Sequence, residues 1–311
     1  MKIPQEEFDP KQYLATYYPE DMRADTDVLL RVSETFEGMD DVSVEDLARE
    51  IGISREAAEN LIILIFLSSV FQELSKAYPA GSIDVLDVGG GPTIYQHIAL
   101  SLQAARITHS ELSERNLKET LIWVAGEKGA HNWDAYFSLV QTILLRLRGP
   151  NPLLANNHER EVNTILTSDS VKLFRQKVRD CLRGHVVKGD IFQPNIGLED
   201  QGQKDVVTSN FAVDSATSDK SEWKKGMKNI MAKVKPGGFL SVTSLRNADW
   251  YKAGDKKIPN ANIDENDLRA ICAEEGFTIK RIKMIHGSDK EVDGYEGMVF
   301  LLAQKNPVTA T

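Results

Sequence analysis

Cysteine is nearly absent: 311 residues hold only two, Cys181 and Cys272. They lie far apart with no metal-ligand spacing, which excludes a disulfide scaffold, makes no metal centre expected and suits a reducing, cytoplasmic compartment. Basic charge is also short. Lys and Arg number 37 against 46 Asp and Glu, a net charge of −9, and this argues against a general nucleic-acid binder, because phosphate affinity comes largely from Lys and Arg. An acidic surface remains compatible with a cationic small substrate. Met1 to Glu7 lack an apolar signal core, and no run reads as long enough to span a bilayer. The longest apolar stretch, Leu61 to Leu67, soon breaks into Ser68-Ser69 and Gln72-Glu73 and reads as a buried helix. Internal repeats and low-complexity tracts are missing, and only the segment from Asn306 onward reads as disordered. With 41% apolar residues, the chain suits one large domain with an appendage or two modest ones, as a monomer or a homodimer.

The most informative stretch is Asp87-Val88-Gly89-Gly90-Gly91-Pro92-Thr93. It follows the apolar run Ile83-Asp84-Val85-Leu86 and leads into Ile94-Tyr95-Gln96-His97-Ile98. That pattern predicts a strand, a glycine turn and a helix start, with Pro92 at an early helical position. Glycines let a ligand approach the backbone, and a helix N-terminus offers free N–H groups, so a nucleotide-like cofactor is expected. A dinucleotide fingerprint needs Gly-x-Gly-x-x-Gly, and here the third position is Ile94. A phosphate-free adenosine cofactor fits better, S-adenosylmethionine being the common one. About twenty residues on, Arg106 to Glu111 reads as a second strand ending in a carboxylate suited to a ribose diol. The plainer alternative is the glycine turn of an ordinary α/β protein, with Glu111 a surface charge.

Residues 1–80 read as helical throughout. Ser43 caps one helix, Gly52 stops it, and Ser54 caps a second running towards Phe71. The pair resembles a helix-turn-helix, but Arg55-Glu56-Ala57-Ala58-Glu59-Asn60 is acidic on balance and soon turns apolar, so a structural pair or lid is expected. From residue 81 strands and helices alternate, the pattern of a parallel α/β sheet. Candidate strands are 83–88, 106–111, 184–189, 205–210, 238–244, 277–286 and 297–304. Helices are expected to begin near Thr93, Ser113, Ser221 and Asp264. A helical insertion lies near 130–180, with a Pro/Gly loop at Arg148-Gly149-Pro150-Asn151-Pro152. Gly189-Asp190-Ile191 ends the third strand, its acid suited to an adenine amine and Ile191 to the ring. Asn210 to Asp214 follow the fourth strand, where open sheets bind ligands, and Lys235-Pro236-Gly237-Gly238 reads as a tight turn into the fifth.

Phe8-Asp9-Pro10 followed by Lys11 to Tyr18 resembles the N-terminal tyrosine signature of the nicotinamide, phenylethanolamine and thioether methyltransferase family. Asp87 to Gln96 is similar to that family's Asp-x-Gly-x-Gly-Pro-Thr-x-Tyr-Gln motif. Lys235-Pro236-Gly237-Gly238, Trp250-Tyr251-Lys252-Ala253-Gly254-Asp255 and Glu296-Gly297-Met298 fall in family order. The resemblance departs in residues 20–80 and around 138–175. It implies a Rossmann-like class I fold with a seven-stranded, mostly parallel sheet, a helical lid over 1–80 and a cofactor domain over 81–305. It further implies Tyr13, Tyr17 and Tyr18 on the lid, with Gly89, Gly90, Gly91, Thr93 and Tyr95 at the methionine end of S-adenosylmethionine. Glu111 takes the ribose where the family usually has Asp. Leu112, Ser113 and Asn116 line the adenosine side, Asp190 and Ile191 frame adenine, and Asn210 and Phe211 face the cofactor. Asp214 and Asp293 fall near substrate-binding acids of amine-methylating members, and a further acidic position is Ala248 here, beside Asp249.

The resulting expectation is methyl transfer to a small-molecule nitrogen, with Asp214, Asp293 and Tyr18 as the residues of the reaction. Only a neutral amine attacks, so a carboxylate beside the nitrogen would bind the ammonium form and take or relay its proton. A tyrosine lid would exclude water and put aromatic faces near cationic groups. Rival expectations are S-methylation, an intramolecular displacement on the same scaffold, or a regulatory protein that senses the cofactor.

Overall fold

The computed structural model describes residues 8–147, 157–198, 202–253, 256–287 and 289–307. The expected loop from Arg148 to Pro152 lies outside them, as do Gly254, Asp255 and the tail from residue 308. The helical N-terminal region contains α1 (Pro10–Tyr17), α2 (Thr26–Gly38), α3 (Val44–Ile51) and α4 (Arg55–Ala77). It is not helical throughout, because β1 (Asp41–Ser43) lies between α2 and α3. Next come β2 (Ile83–Val88), α5 (Tyr95–Ser101), β3 (Ala104–Glu111) and α6 (Glu114–Ala125). The insertion supplies α7 (Asp134–Leu147), α8 (Asn157–Thr167) and α9 (Lys172–Leu182). The sheet resumes with β4 (Val186–Lys188), β5 (Lys204–Asn210), α10 (Lys220–Ala232) and β6 (Val234–Arg246). A hairpin of β7 (Trp250–Ala253) and β8 (Lys256–Pro259) precedes α11 (Glu265–Glu274), β9 (Phe277–His286), α12 (Lys290–Asp293) and β10 (Gly297–Lys305).

The eight strands of the main sheet run in the order β1-β9-β10-β6-β5-β2-β3-β4. β10 is antiparallel to both neighbours, while the other pairings are parallel. All seven expected strands are present. The eighth, β1, pairs with β9 from Asp41 opposite Met284 to Ser43 opposite His286. Strand order reverses between β2 and β5, where Asp87 sits opposite Thr208; ligands of open α/β sheets bind at such a switch point, outside the carboxyl ends.

Several boundaries differ from the sequence pattern for identifiable reasons. The expected strand 184–189 shrinks to Val186–Lys188 at the sheet edge, where only β3 pairs with it. Lys235 to Gly238 lie inside β6, where the β5 register shifts between Lys204 and Val206; a bulge at the strand start takes the place of a separate turn. Pro92 is not at a helical position, because α5 begins at Tyr95. The Thr93 hydroxyl closes the intervening turn on the Gly90 carbonyl at 2.9 Å.

Ser43 and Ser54 cap α3 and α4 through hydroxyls that accept from the Asp46 and Ala57 N–H groups at 3.3 and 3.2 Å. α4 corrects the reading that no apolar run could span a bilayer, since by length and composition it could. In this fold 78% of its most apolar window is buried, as befits a helix that is apolar on every face from Leu61 to Leu67. Phe66 of α4 and Phe36 of α2 meet Phe300 of β10 with ring centroids 5.1 and 5.5 Å apart. The N-terminal helices therefore complete the core on one face of the sheet.

Candidate active site

The glycine turn leaves β2 at Val88, and its geometry is dictated by what surrounds it. Gly89 adopts φ +69°, and a Cβ there would collide with the side chain of Ala212. A Cβ on Gly90 would strike Asp87 and His109. Gly91, at φ +62°, has nothing within 4 Å of where its Cβ would stand, so its face is open. Asp87 anchors the turn from below. Its carboxylate accepts from the Thr208 hydroxyl at 2.8 Å and the Gln96 amide at 3.1 Å, joining β2, β5 and α5.

Glu111, last residue of β3, accepts from the Gly91 N–H at 3.0 Å and the Ser113 N–H at 2.8 Å. The carboxylate thus sets the turn and the start of α6 at one height. Asp190 follows β4 and accepts from the Phe192 N–H at 2.9 Å, turning the chain so that Ile191 faces the turn. Asn210 ends β5, and both polar atoms of its side chain are buried without a partner. Beside it Phe211 is held at φ +53°, a strained conformation for a bulky residue, of the kind that clusters at functional sites. Its N–H donates to Thr243 at 2.7 Å.

These pieces wall one cavity of about 730 Å³. Tyr13, Tyr17, Tyr18, Gly89, Gly90, Gly91, Thr93, Tyr95, Glu111, Leu112, Ser113, Asn116, Asp190, Ile191, Asn210, Phe211 and Asp293 all line it. Asp214 does not. It is 1% exposed, and its Oδ2 accepts from the Leu245 N–H at 3.0 Å and the Asn260 amide at 3.4 Å. Its Oδ1 is buried with no partner. Burial pushes the Asp214 carboxyl up to about 6 against those hydrogen bonds. Its charge is felt by Tyr13 and Tyr251, both in the cavity wall. Ala248 is buried, and Asp249 pairs with Lys290 at 3.2 Å, away from the cavity wall.

The N-terminal wall of the cavity is an aromatic stack. Asp9 caps α1 by accepting from the Lys11 and Gln12 N–H groups, and the short helix carries the three tyrosines over the cavity. Tyr18 stacks on Tyr95 at 4.9 Å and meets Trp133, just before α7, at 5.5 Å. The Tyr17 hydroxyl donates to the Lys252 carbonyl at 2.6 Å, and the Asn60 amide donates to the Tyr17 carbonyl at 3.1 Å. Burial raises the phenols of Tyr13, Tyr17, Tyr18 and Tyr95 above their ordinary range. They stay protonated at neutral pH and act as donors and apolar faces, not as bases.

The sequence reading missed the far wall. Arg55, Glu56, Glu59 and Asn60, from the first turns of α4, line the cavity with Tyr251 and Tyr295. Arg55 donates to Asp293 at 2.5 Å. The signal was available in the polar start of an otherwise apolar helix, which had suggested a helix-turn-helix. Trp133 had no local signal, because it reaches Tyr18 from the insertion.

The strand order, the glycine turn at the switch point and the carboxylates after β3 and β4 define a class I S-adenosylmethionine-dependent methyltransferase. The partnerless amide of Asn210 and the open face of Gly91 fit that cofactor, which needs donors, acceptors and a close backbone approach. The profile of the NNMT/PNMT/TEMT family matches residues 52–306, and the chain belongs to this family. Human nicotinamide N-methyltransferase is 26% identical over 253 residues, covering 81% of this chain and 88% of that protein. Mouse indolethylamine N-methyltransferase is 24% identical over 304 residues, covering 97% and 95%, Tyr13, Tyr17 and Tyr18 included in that span. Among solved structures, a Clostridium acetobutylicum S-adenosylmethionine-dependent methyltransferase has a TM-score of 0.44 at 11% identity, covering 78% of this chain and 91% of that one.

Proposed function

We propose that this enzyme methylates the nitrogen of a small amine or heteroaromatic acceptor. The observation that carries the reading is a single cavity with two chemically different ends. One end holds the glycine turn, Glu111, Asp190 and Asn210; the other holds three carboxylates, Glu56, Glu59 and Asp293, gathered around Arg55. Bound S-adenosylmethionine supplies an activated methyl group, so the protein's task is to position, desolvate and manage a proton. Glu111 and Asp190 would hold ribose and adenine, and Asn210 the methionine end. The Tyr18–Tyr95 stack closes the space to water. Asp293 is held by Arg55 and helps orient the acceptor. Asp214 stands behind the wall, and its charge, felt by Tyr13 and Tyr251, would act on the acceptor's proton through those side chains and not by contact. The nitrogen acceptors in the names of both relatives support the same assignment. Cys181 and Cys272, buried and free, support a reducing, cytoplasmic setting.

Asp214→Asn is expected to lower kcat with little change in cofactor Kd, and wild-type kinetics would remove it from the reaction. Tyr18→Ala is expected to weaken cofactor binding and turnover together. Activity on thiols that survives loss of both Asp214 and Asp293 would favour S-methylation instead.

A further inference from the structure

Beneath the glycine turn, three buried side chains converge without a catalytic assignment. Asp87 Oδ2 stands 3.5 Å from His97 Nε2 and 3.4 Å from His109 Nδ1, and the two nitrogens are 3.1 Å apart. All three residues are fully buried. His109 Nε2 lies 3.1 Å from the Gly91 carbonyl, which can only accept, so Nε2 carries the proton and Nδ1 presents a lone pair. Asp87 Oδ2 presents another. His97 Nδ1 has no partner, so without a cation the His97 proton rests on Nε2, facing His109 Nδ1 and Asp87 Oδ2, and a cation bound there would shift that proton to Nδ1 to free the third lone pair.

We propose that Asp87, His97 and His109 form a site for a divalent d-block cation, zinc foremost, with a water completing the tetrahedron. Zinc bonds of about 2.0–2.1 Å place tetrahedral donors roughly 3.3–3.4 Å from one another, and the three separations fall about that value. Two imidazoles with one carboxylate suit a borderline ion. The supporting contacts are those of a metal site: His109 is oriented by the Gly91 carbonyl, and Asp87 by the Thr208 hydroxyl and Gln96 amide. The ion would tie β2, β3 and α5 together under the cofactor turn, and metal loading would stabilise the fold and the turn together.

The test needs neither cofactor nor acceptor, so its outcome is separate from that of the methyl-transfer reading. Untagged protein is unfolded in chelator, refolded with Zn²⁺ or Co²⁺ alone, and passed through a desalting column. About one ion per chain is expected, with visible d–d absorption of tetrahedral cobalt and a Tm above that of the chelated protein. His97→Gln is expected to lose all three. Wild-type protein that retains no metal on refolding, or whose metal binds equally to His97→Gln, would overturn the site. Should His97→Gln fail to fold, metal content and the cobalt spectrum of the wild-type chain decide the matter.

Discussion

Asp214 shows how one residue can weigh function against stability. Its folded pKa of about 6 lies above the ordinary carboxyl value of 3.8 because burial disfavours the charge. Between those values the native state binds more protons than the unfolded chain, so its contribution is complete below pH 3.8 and is lost as pH rises through about 6. A shift of this size corresponds to about 3 kcal/mol. Asp214→Asn should therefore gain stability over wild type from pH 4 to pH 7, by about 1–3 kcal/mol in urea unfolding, while losing turnover. A difference that stays flat across that range would mean the carboxyl is not destabilised by burial. Gly89 makes the opposite case. Alanine there would face both φ +69° and the side chain of Ala212, at a cost of about 1–2 kcal/mol for the backbone alone. Gly89→Ala should weaken S-adenosylhomocysteine binding about tenfold or more by calorimetry, and unchanged affinity would place the cofactor elsewhere.

At the scale of elements, α1 is tied by hydrogen bonds to distant parts of the chain. The Tyr17 hydroxyl reaches Lys252 in β7, and Asn60 in α4 holds the Tyr17 carbonyl. A hydrogen bond of this kind contributes about 0.5–1.5 kcal/mol. Tyr17→Phe should raise amide hydrogen exchange in α1 by roughly 2- to 10-fold, and unaltered protection would show that this bond does not hold α1. These partners also explain what local pattern could carry. Asp87 to Gln96 announced the glycine turn because strand, glycines and helix are contiguous. The three-residue β1 was invisible, since it exists only through pairing with β9, some 240 residues away. Arg55 to Asn60 showed their polarity in sequence but not their target.

The whole molecule is organised around the junction of β2 and β5. Strand periodicity and the βα alternation made the parallel sheet legible, because those signals are local and repeated. The cavity was legible only as a set of residues. Its closure depends on α1, the insertion and the β7–β8 hairpin meeting over the carboxyl ends of the central strands, and Asp214's retreat from the wall depends on loop packing that no periodicity encodes. The central claim is transfer of a methyl group to nitrogen, and it is tested most directly by incubating the enzyme with methyl-labelled S-adenosylmethionine and a panel of amines, pyridines and thiols. Mass spectrometry should locate the labelled methyl on nitrogen of one or more amine or pyridine acceptors. Label found only on sulfur, or no transfer to any nitrogen acceptor while S-adenosylmethionine binds, would contradict the account.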